Sequence, residues 1–364
     1  MTHDVTLSAL GWDAGWVAAF APHAARGHRP ARVVAVHRDT SVVRDAAGDR
    51  SAGVSGSFRF EALANVDFPV VGDWVALDEG GIIAAVLPRR TAFRRMAADG
   101  ARRGARLDDE QVMAANVDVA LLVAGLDHDF NLRRIERYLA VAWSSGITPI
   151  VVLNKSDVAD DLDGPLLAVA AISPGVTIVA MSAATGDGLD ALGAHLPAGA
   201  TVAILGSSGV GKSTILNALL GEDRQRTGAV RESDSRGRHT TTHRELFQVR
   251  NGALLIDTPG IRALEILGAD DGLDTTFDDV TELAATCRFS DCGHDREPGC
   301  AVRAALADGR LSEERLAGQR KLERELEHAA RRSDPRVRAE YRRKWRLASK
   351  ASDAQAARKY GTDQ

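Results

Sequence analysis

The chain has 364 residues, 45% of them hydrophobic and 26% charged, which is enough for two or three domains that each bury a core. It has no apolar run long enough to span a bilayer and no secretory signal in its first twenty residues, which argues against a membrane protein and predicts a cytoplasmic one. All three cysteines lie between positions 287 and 300, which argues against a disulfide framework and indicates a metal site.

The net charge of −4 is unevenly distributed. From Gln319 to the end there are 14 Lys+Arg and 7 Asp+Glu, a balance of +7, so the rest of the chain carries −11. A basic C-terminal segment on an acidic body is typical of contact with a polyanion such as RNA, and it is equally typical of a solvated helix face.

The N-terminal part is predicted to be a small barrel behind a loose start. Residues 1–29 show no sustained period and read as a flexible tail. Short β-branched runs between Gly, Asp and Pro predict strands at 32–37, 40–44, 57–63, 70–77 and 82–87. Five such strands within residues 30–92 favour an oligonucleotide-binding (OB) fold, although an SH3-like barrel would look similar. Residues 93–111, rich in Arg and Gly, are predicted to be a linker.

From residue 112 the pattern changes to buried strands that alternate with helices. Apolar runs at 117–126, 148–153, 176–181, 201–205 and 254–256 predict strands, and 131–145 predicts a helix that Asn131 caps and Gly146 ends. Residues 112–268 are therefore predicted to form a doubly wound α/β domain with a parallel sheet. Asn251-Gly252 predicts a hairpin that adds one antiparallel edge strand.

A phosphate-binding loop follows the strand at 201–205. Its residues fit G-x-x-x-x-G-K-[ST], and a helix leaves the loop at 213–220. Backbone N–H groups would face the phosphates, Lys212 would neutralise the β- and γ-phosphates, and the Ser213 hydroxyl would hold magnesium. The candidate residues are Gly206, Ser207, Ser208, Gly209, Val210, Gly211, Lys212, Ser213 and Thr214.

The sequence Asp257-Thr-Pro-Gly260 ends the strand at 254–256. Alone it is an ordinary turn signal. Together with the phosphate loop it predicts that Asp257 supports magnesium and that Gly260 offers its N–H to the γ-phosphate.

Two further loops predict that the base is guanine. In Asn154-Lys155-Ser156-Asp157, the Asp157 carboxylate can accept hydrogen bonds from both N1–H and the amine of guanine, which adenine cannot supply. Asn154 would tie this loop to the phosphate loop, and the Lys155 stem would cover the base. Ser182-Ala183 stands where a second base-contacting loop is expected, again at the carboxyl end of a strand. An isolated motif of this kind is more often a surface turn, and the joint occurrence decides for GTP over ATP.

Near the C-terminus a cluster offers three thiolates and one imidazole within fourteen residues. Cys287, Cys292, His294 and Cys300 form the ligand set of a closed, structural Cys₃His zinc site rather than a catalytic one.

The motif order is rotated, since Asn154 precedes Gly206 by 52 positions, whereas most GTPases place the phosphate loop first. This order, the preceding barrel and the Cys-x4-Cys-x-His-x5-Cys spacing resemble the RsgA (YjeQ-type) family of circularly permuted GTPases over about residues 30 to 345. The rotation places the segment after Gly260, which senses the γ-phosphate, directly before the cysteine cluster. Hydrolysis is therefore predicted to reposition that region.

The resemblance implies a GTPase, monomeric in our expectation, that takes GTP to GDP with Mg²⁺, carries one zinc ion and acts in late maturation of the small ribosomal subunit. It further implies an OB-fold that contacts rRNA, a GTPase domain at 112–268, a zinc-binding domain at 269–345 and a basic tail at 346–364. Ile261 stands where many GTPases have a water-orienting glutamine, so the resemblance assigns that task to His239, which a solvated loop histidine would equally explain. Thr241 is favoured as the switch threonine on magnesium. The alternative is a non-ribosomal RNA-binding module that uses GTP as a conformational ligand.

Overall fold

The structure is a computed structural model that describes residues 7–37, 40–62, 64–96, 110–221, 244–257 and 270–333. The chain begins with a 3-10 helix, Leu7–Leu10, and helix α1, Ala14–Ala24. Asp13 caps α1 by accepting a hydrogen bond from the Trp16 N–H at 2.9 Å.

The prediction of a flexible tail is wrong for residues 7–24. Trp12, Trp16 and Phe20 follow each other at four-residue spacing and therefore share one face of α1 and its approach. Trp16 and Phe20 are 4% and 6% exposed, and the Trp12 ring lies 4.5 Å from that of Trp74 in the barrel, centroid to centroid. The three aromatic residues therefore recur with helical periodicity in a segment whose composition is otherwise typical of a flexible tail.

Five strands then form a ring. Their bounds are β1 Arg29–His37, β2 Thr40–Asp45, β3 Gly48–Ala52, β4 Trp74–Leu77 and β5 Ile83–Val86. β1 pairs antiparallel with β2 and β4, β2 pairs with β3, and β4 pairs with β5. A bridge between Val54, just after β3, and Ile83 in β5 closes the circuit around an apolar interior.

The strand predicted at residues 57–63 is instead a helix, α2, Gly56–Glu61, followed by a 3-10 helix, Asn65–Asp67. Ser55 caps α2, since its hydroxyl accepts a hydrogen bond from the Phe58 N–H at 3.1 Å. A cap of this kind outweighs a short apolar-polar alternation. The third strand of the ring, β3, was missed because its polar sequence Gly-Asp-Arg-Ser-Ala lacks β-branched residues.

The ends of the predicted linker are also ordered. β6, Ala92–Met96, and β7, Glu110–Ala115, pair as an antiparallel hairpin. Phe93 and Met113 are fully buried in the main core. The Arg- and Gly-rich residues 97–109 lie outside the described residues.

The central domain is the predicted doubly wound sheet. Its elements are β8 Val119–Gly125, α3 Leu132–Ser144, β9 Thr148–Asn154, α4 Asp163–Ile172, β10 Thr177–Ala180, α5 Leu189–Ala194, β11 Thr201–Gly206, α6 Lys212–Leu220, β12 Arg244–Gln248 and β13 Leu254–Asp257. The strand order is β10-β9-β8-β11-β13-β12, and the first five are parallel.

The Asn251-Gly252 hairpin joins β12 to β13 as predicted, with Gly252 at a φ of 85°. β12 is not an edge strand, however. It also pairs antiparallel with β1 through Ala35 and Val36, so the ring and the α/β sheet form one continuous sheet. The sequence could not show this contact, which joins residues more than two hundred positions apart.

Four helices complete the described chain: α7 Asp270–Thr276, α8 Asp278–Ala285, α9 Ala301–Ala307 and α10 Glu313–Ser333. α7 lies directly on α3, because a Cβ at Gly272 would stand 2.5 Å from the Ser144 nitrogen. A single core cluster includes residues of α1, the ring, the α/β sheet and these helices. None of the helices that the structure describes has the length and apolar character needed to cross a membrane.

Candidate guanine-nucleotide site and metal centre

The phosphate loop connects β11 to α6 at the carboxyl edge of the sheet. Gly209 and Gly211 have φ of 84° and 96°, a left-handed conformation that glycine adopts without strain. The Lys212 ammonium donates to the carbonyl of Gly206 at 2.9 Å and also to that of Ser207. The loop therefore curls around the lysine at the start of α6, the geometry that presents N–H groups and a cation to phosphates.

Asn154 holds three loops together. Its side-chain amide donates to the Val210 carbonyl in the phosphate loop at 2.8 Å, and its oxygen accepts from the Ala183 N–H at 2.9 Å. Asn154 is 2% exposed, and a Cβ at Gly211 would stand 2.2 Å from its amide nitrogen. The predicted tie between the two nucleotide loops is present, and it requires glycine at position 211.

The base-reading loop lies beside this junction. Lys155 has a φ of 70°, and a short 3-10 helix, Ser156–Val158, follows it. The Ser156 N–H donates to the Met181 carbonyl at 3.1 Å, which ties this loop to the one containing Ser182. Asp157 is exposed at the same edge of the sheet. The two predicted guanine loops are thus adjacent.

An acidic pair that the sequence motifs do not single out follows β8. Asp127 binds the Lys155 ammonium at 2.6 Å, and Asp129 accepts from Ser207 of the phosphate loop and from Arg134 at 2.7 Å. The Arg134 guanidinium also donates to the Ser207 hydroxyl at 2.7 Å. These carboxylates follow a parallel strand at its carboxyl end, and that position was the signal that could have found them.

Both carboxylates are held in the ionised form. Burial acts to raise the pKa of Asp127 and of Asp129, but the hydrogen bonds outweigh it and each pKa lies below its usual value. For Asp127 the main donor is Lys155, and for Asp129 the donors are Ser207 and Arg134. The pair therefore fixes the position of one lysine and of one hydroxyl of the phosphate loop.

Asp257 is the last residue of β13, the strand beside β11, at the end of the sheet where the phosphate loop begins. Gly260, His239 and Thr241 lie outside the described residues, and their roles stay predictions.

The four candidate metal ligands converge. Their ligand atoms all lie within 4.8 Å of one another. The His294 Nδ1 is 3.6 Å from the Cys287 Sγ and 3.4 Å from the Cys300 Sγ, and those two sulfurs are 3.9 Å apart. A tetrahedral zinc ion with ordinary bond lengths would place sulfurs about 3.8 Å apart and a sulfur about 3.6 Å from the nitrogen. The group could therefore hold one zinc ion.

Neighbouring groups fix the loop that carries these ligands. His294 has a φ of 57°, and the Glu297 carboxylate accepts from the N–H groups of Gly293, Asp295 and Arg296 at 2.9 to 3.1 Å. Backbone N–H groups lower the pKa of Glu297 to about 2, so the carboxylate is charged. Arg320 of α10 donates to the Gly293 carbonyl at 2.9 Å, which joins the loop to the last helix.

The sheet order, the curled phosphate loop and the adjoining Asn154 and Ser182 loops define a P-loop nucleotide-binding protein of the guanine-specific class, with its motifs in rotated order. The family model of the RsgA GTPase matches residues 86–267. The chain belongs to the RsgA GTPase family and is a GTP-hydrolysing enzyme.

Curated relatives extend the match over nearly the whole chain. A small ribosomal subunit biogenesis GTPase RsgA from Opitutus terrae is 50% identical over 356 residues, which is 94% of this chain and 95% of that one. A protein of the same name from Streptomyces coelicolor is 44% identical and covers 93% of this chain and 92% of its own.

Solved structures give the same result. The crystal structure of YjeQ from Thermotoga maritima matches with a TM-score of 0.61 at 28% identity, over 82% of this chain and 98% of that one. YloQ, described as a circularly permuted GTPase, matches with a TM-score of 0.58 over 83% of this chain and 96% of its own. At 24% identity the YloQ match shows the fold alone.

Proposed function

We propose that this chain binds the small ribosomal subunit in the cytoplasm during late maturation, acts there as a monomer, and leaves when it has hydrolysed GTP. The observation that carries the proposal is a guanine-nucleotide site in rotated order, in a chain whose relatives named for small-subunit biogenesis are 50% and 44% identical over more than nine-tenths of its length.

In this proposal each residue of the nucleotide site has a distinct role. Asp157 selects guanine, Lys212 neutralises the phosphates, and Ser213 at the start of α6 holds magnesium together with Thr241. His239 orients the attacking water. The support for the roles of Asp157, Lys212 and Ser213 is their position at one edge of the sheet, around the contact between Asn154 and Val210. The magnesium ion would supply charge neutralisation between the β- and γ-phosphates.

We assign the Cys₃His group to one structural zinc ion, because its four ligand atoms lie within 4.8 Å of one another and four protein ligands leave no open position for catalysis. We assign the five-stranded ring to the OB class that binds rRNA. The support is its closed circuit of pairings, with α2 between β3 and β4.

The support for release after hydrolysis is the way in which the C-terminal helices are joined to the sheet. The chain leaves the nucleotide edge at Asp257, and α7 begins at Asp270 and lies directly on α3. α3 itself follows the Asp129 loop that contacts the phosphate loop. A change in the γ-phosphate position can therefore reach α7 and the zinc-bearing helices through α3, and this favours their displacement after hydrolysis.

The test is co-sedimentation of the full chain with purified mature small subunits. We expect the chain to sediment with them in a non-hydrolysable GTP analogue and to remain in the supernatant with GDP. Large subunits serve as the control. No binding in either nucleotide state would contradict the ribosomal assignment. Equal binding in both states would contradict only the proposal that hydrolysis causes release.

A further inference from the structure

A cleft of about 230 Å³ lies between α3 and α10, on the flank of the phosphate loop. We call it the α3–α10 cleft. Side chains of both helices line it, among them Arg133, Arg134, Arg137, Lys321, Glu136 and Glu325. None of these residues was needed to build the nucleotide site except Arg134, which bonds Ser207.

The cleft has an excess of positive charge that its own carboxylates do not neutralise. Four cations face two carboxylates, a balance of +2. Glu136 is bound by Arg315 at 2.8 Å, and Glu325 by Arg137 at 2.7 Å. Arg133 and Lys321 are exposed, and among the residues that the structure describes neither forms an ion pair.

These two cations stand on facing helices whose relative position is fixed. Arg315 of α10 joins Glu136 of α3 in a contact where both side chains are less than 10% exposed. The packed helices therefore hold the Cα atoms of the two cations in a fixed arrangement on either side of the cleft. A cleft of this size admits phosphate groups, and guanidinium and ammonium groups are the usual partners of phosphate oxygens.

We infer that the α3–α10 cleft binds the phosphate backbone of RNA, through Arg133 and Lys321. RNA is favoured over an acidic peptide because of the sequence that follows α10. Residues 334–364 contain nine Lys+Arg and only four Asp+Glu, an excess of positive charge that suits a long polyanion. The inference rests on the proposed function, which supplies the RNA as part of the small ribosomal subunit. Because Arg134 lines the cleft and also bonds Ser207, the bound backbone would lie beside the phosphate loop.

The test is a charge reversal in the full chain, R133E/K321E, with affinity for mature small subunits measured in the GTP analogue at several salt concentrations. We expect an affinity loss of about tenfold at moderate salt. The slope of log affinity against log salt should become shallower by roughly one to two, as two phosphate contacts disappear. The control R26E/R303E changes the net charge equally at two exposed arginines that do not line the cleft. An equal loss in both variants would overturn the inference.

Two further measurements keep the test decisive. If R133E/K321E melts below the unaltered chain, the milder R133Q/K321Q variant replaces it, with an expected loss of about three- to fivefold. A photo-crosslinking amino acid at position 321 should join the chain to rRNA, and a crosslink only to a ribosomal protein would refute an RNA site. If the unaltered chain fails to bind subunits, the proposed function fails; if it binds and the variants bind equally well, only the cleft inference fails.

Discussion

Arg315 is the residue on which the docking of α10 most depends. Its guanidinium donates to Glu136 of α3 at 2.8 Å, to Asp279 of α8 at 2.9 Å and to the Thr276 carbonyl at 2.6 Å. It also lies 4.3 Å from the centre of the Phe277 ring. We predict that Arg315→Met, which keeps the stem but removes the charge, destabilises the chain strongly.

The magnitude follows from what the substitution leaves behind. Arg315 and Glu136 are 7% and 6% exposed at the side chain, so the variant would leave a buried carboxylate without its partner. Breaking such a pair from one side costs about 3–5 kcal/mol, whereas replacing both partners is often nearly neutral. Urea unfolding should show a loss of this size for Arg315→Met and a much smaller one for the double variant Arg315→Met/Glu136→Leu.

The loss of stability in Arg315→Met should grow as the pH rises. Burial raises the pKa of Glu136 above its usual 4.5 even beside Arg315, and it would rise further without the arginine. Between the unfolded and folded pKa values the folded chain holds a proton that the unfolded chain has released, so stability falls as pH rises through that window. The deficit of Arg315→Met should therefore be larger at pH 8 than at pH 5.5. An equal loss of stability at both pH values, or a loss below about 1 kcal/mol, would show that Arg315→Met does not leave Glu136 as an unpaired buried carboxylate.

Three further predictions concern the nucleotide and metal sites. Asn154→Ala removes hydrogen bonds to Val210 and Ala183 and should weaken binding of fluorescent mant-GTP by about ten- to a hundredfold. The control Asn251→Ala, which removes three hydrogen bonds at the β12–β13 hairpin, should leave this affinity unchanged. Asp157→Asn should lower GTP affinity at least a hundredfold or so and favour xanthosine triphosphate, because the new amide can donate to its C2 carbonyl; unchanged preference would contradict the assigned role. The purified chain should contain one zinc ion by elemental analysis and Cys300→Ser should lose most of it; a folded, metal-free chain would rule the site out.

Much of the α/β domain could be predicted because its strands are buried on both faces. Such strands appear in the sequence as continuous apolar runs. Each nucleotide motif follows the carboxyl end of one of these strands, which is where α/β sheets bind ligands. The link between Asn154 and the phosphate loop was predicted because the loops follow neighbouring strands of one sheet. The structure confirms it with a contact of 2.8 Å.

The structure of the N-terminal part could be predicted less well, because tertiary contacts determine its secondary structure. The aromatic stripe on α1 is stabilised by packing on Trp74, and β3 owes its place to pairing with β2 rather than to its composition. Local sequence does not contain those partners. The same holds for the pairing of β1 with β12, which merges the ring with the α/β sheet.

The Asp127 and Asp129 contacts escaped prediction for another reason. The sequence of their loop indicates a helix cap at Asn131, and nothing in its spacing shows that Lys155 and Ser207 come within reach of the two carboxylates. Their roles emerge from the order of strands in space, in which β8 lies between β9 and β11.

The proposed role on the small ribosomal subunit can be tested by measuring GTP hydrolysis of the full chain with and without purified mature small subunits. We predict a slow intrinsic rate that small subunits raise at least about tenfold, because Ile261 replaces the usual water-orienting glutamine and the subunit must order the site. Large subunits should have no such effect, and Lys212→Ala should abolish hydrolysis under all conditions. A hydrolysis rate that small subunits leave unchanged would contradict a role of this chain on the small ribosomal subunit.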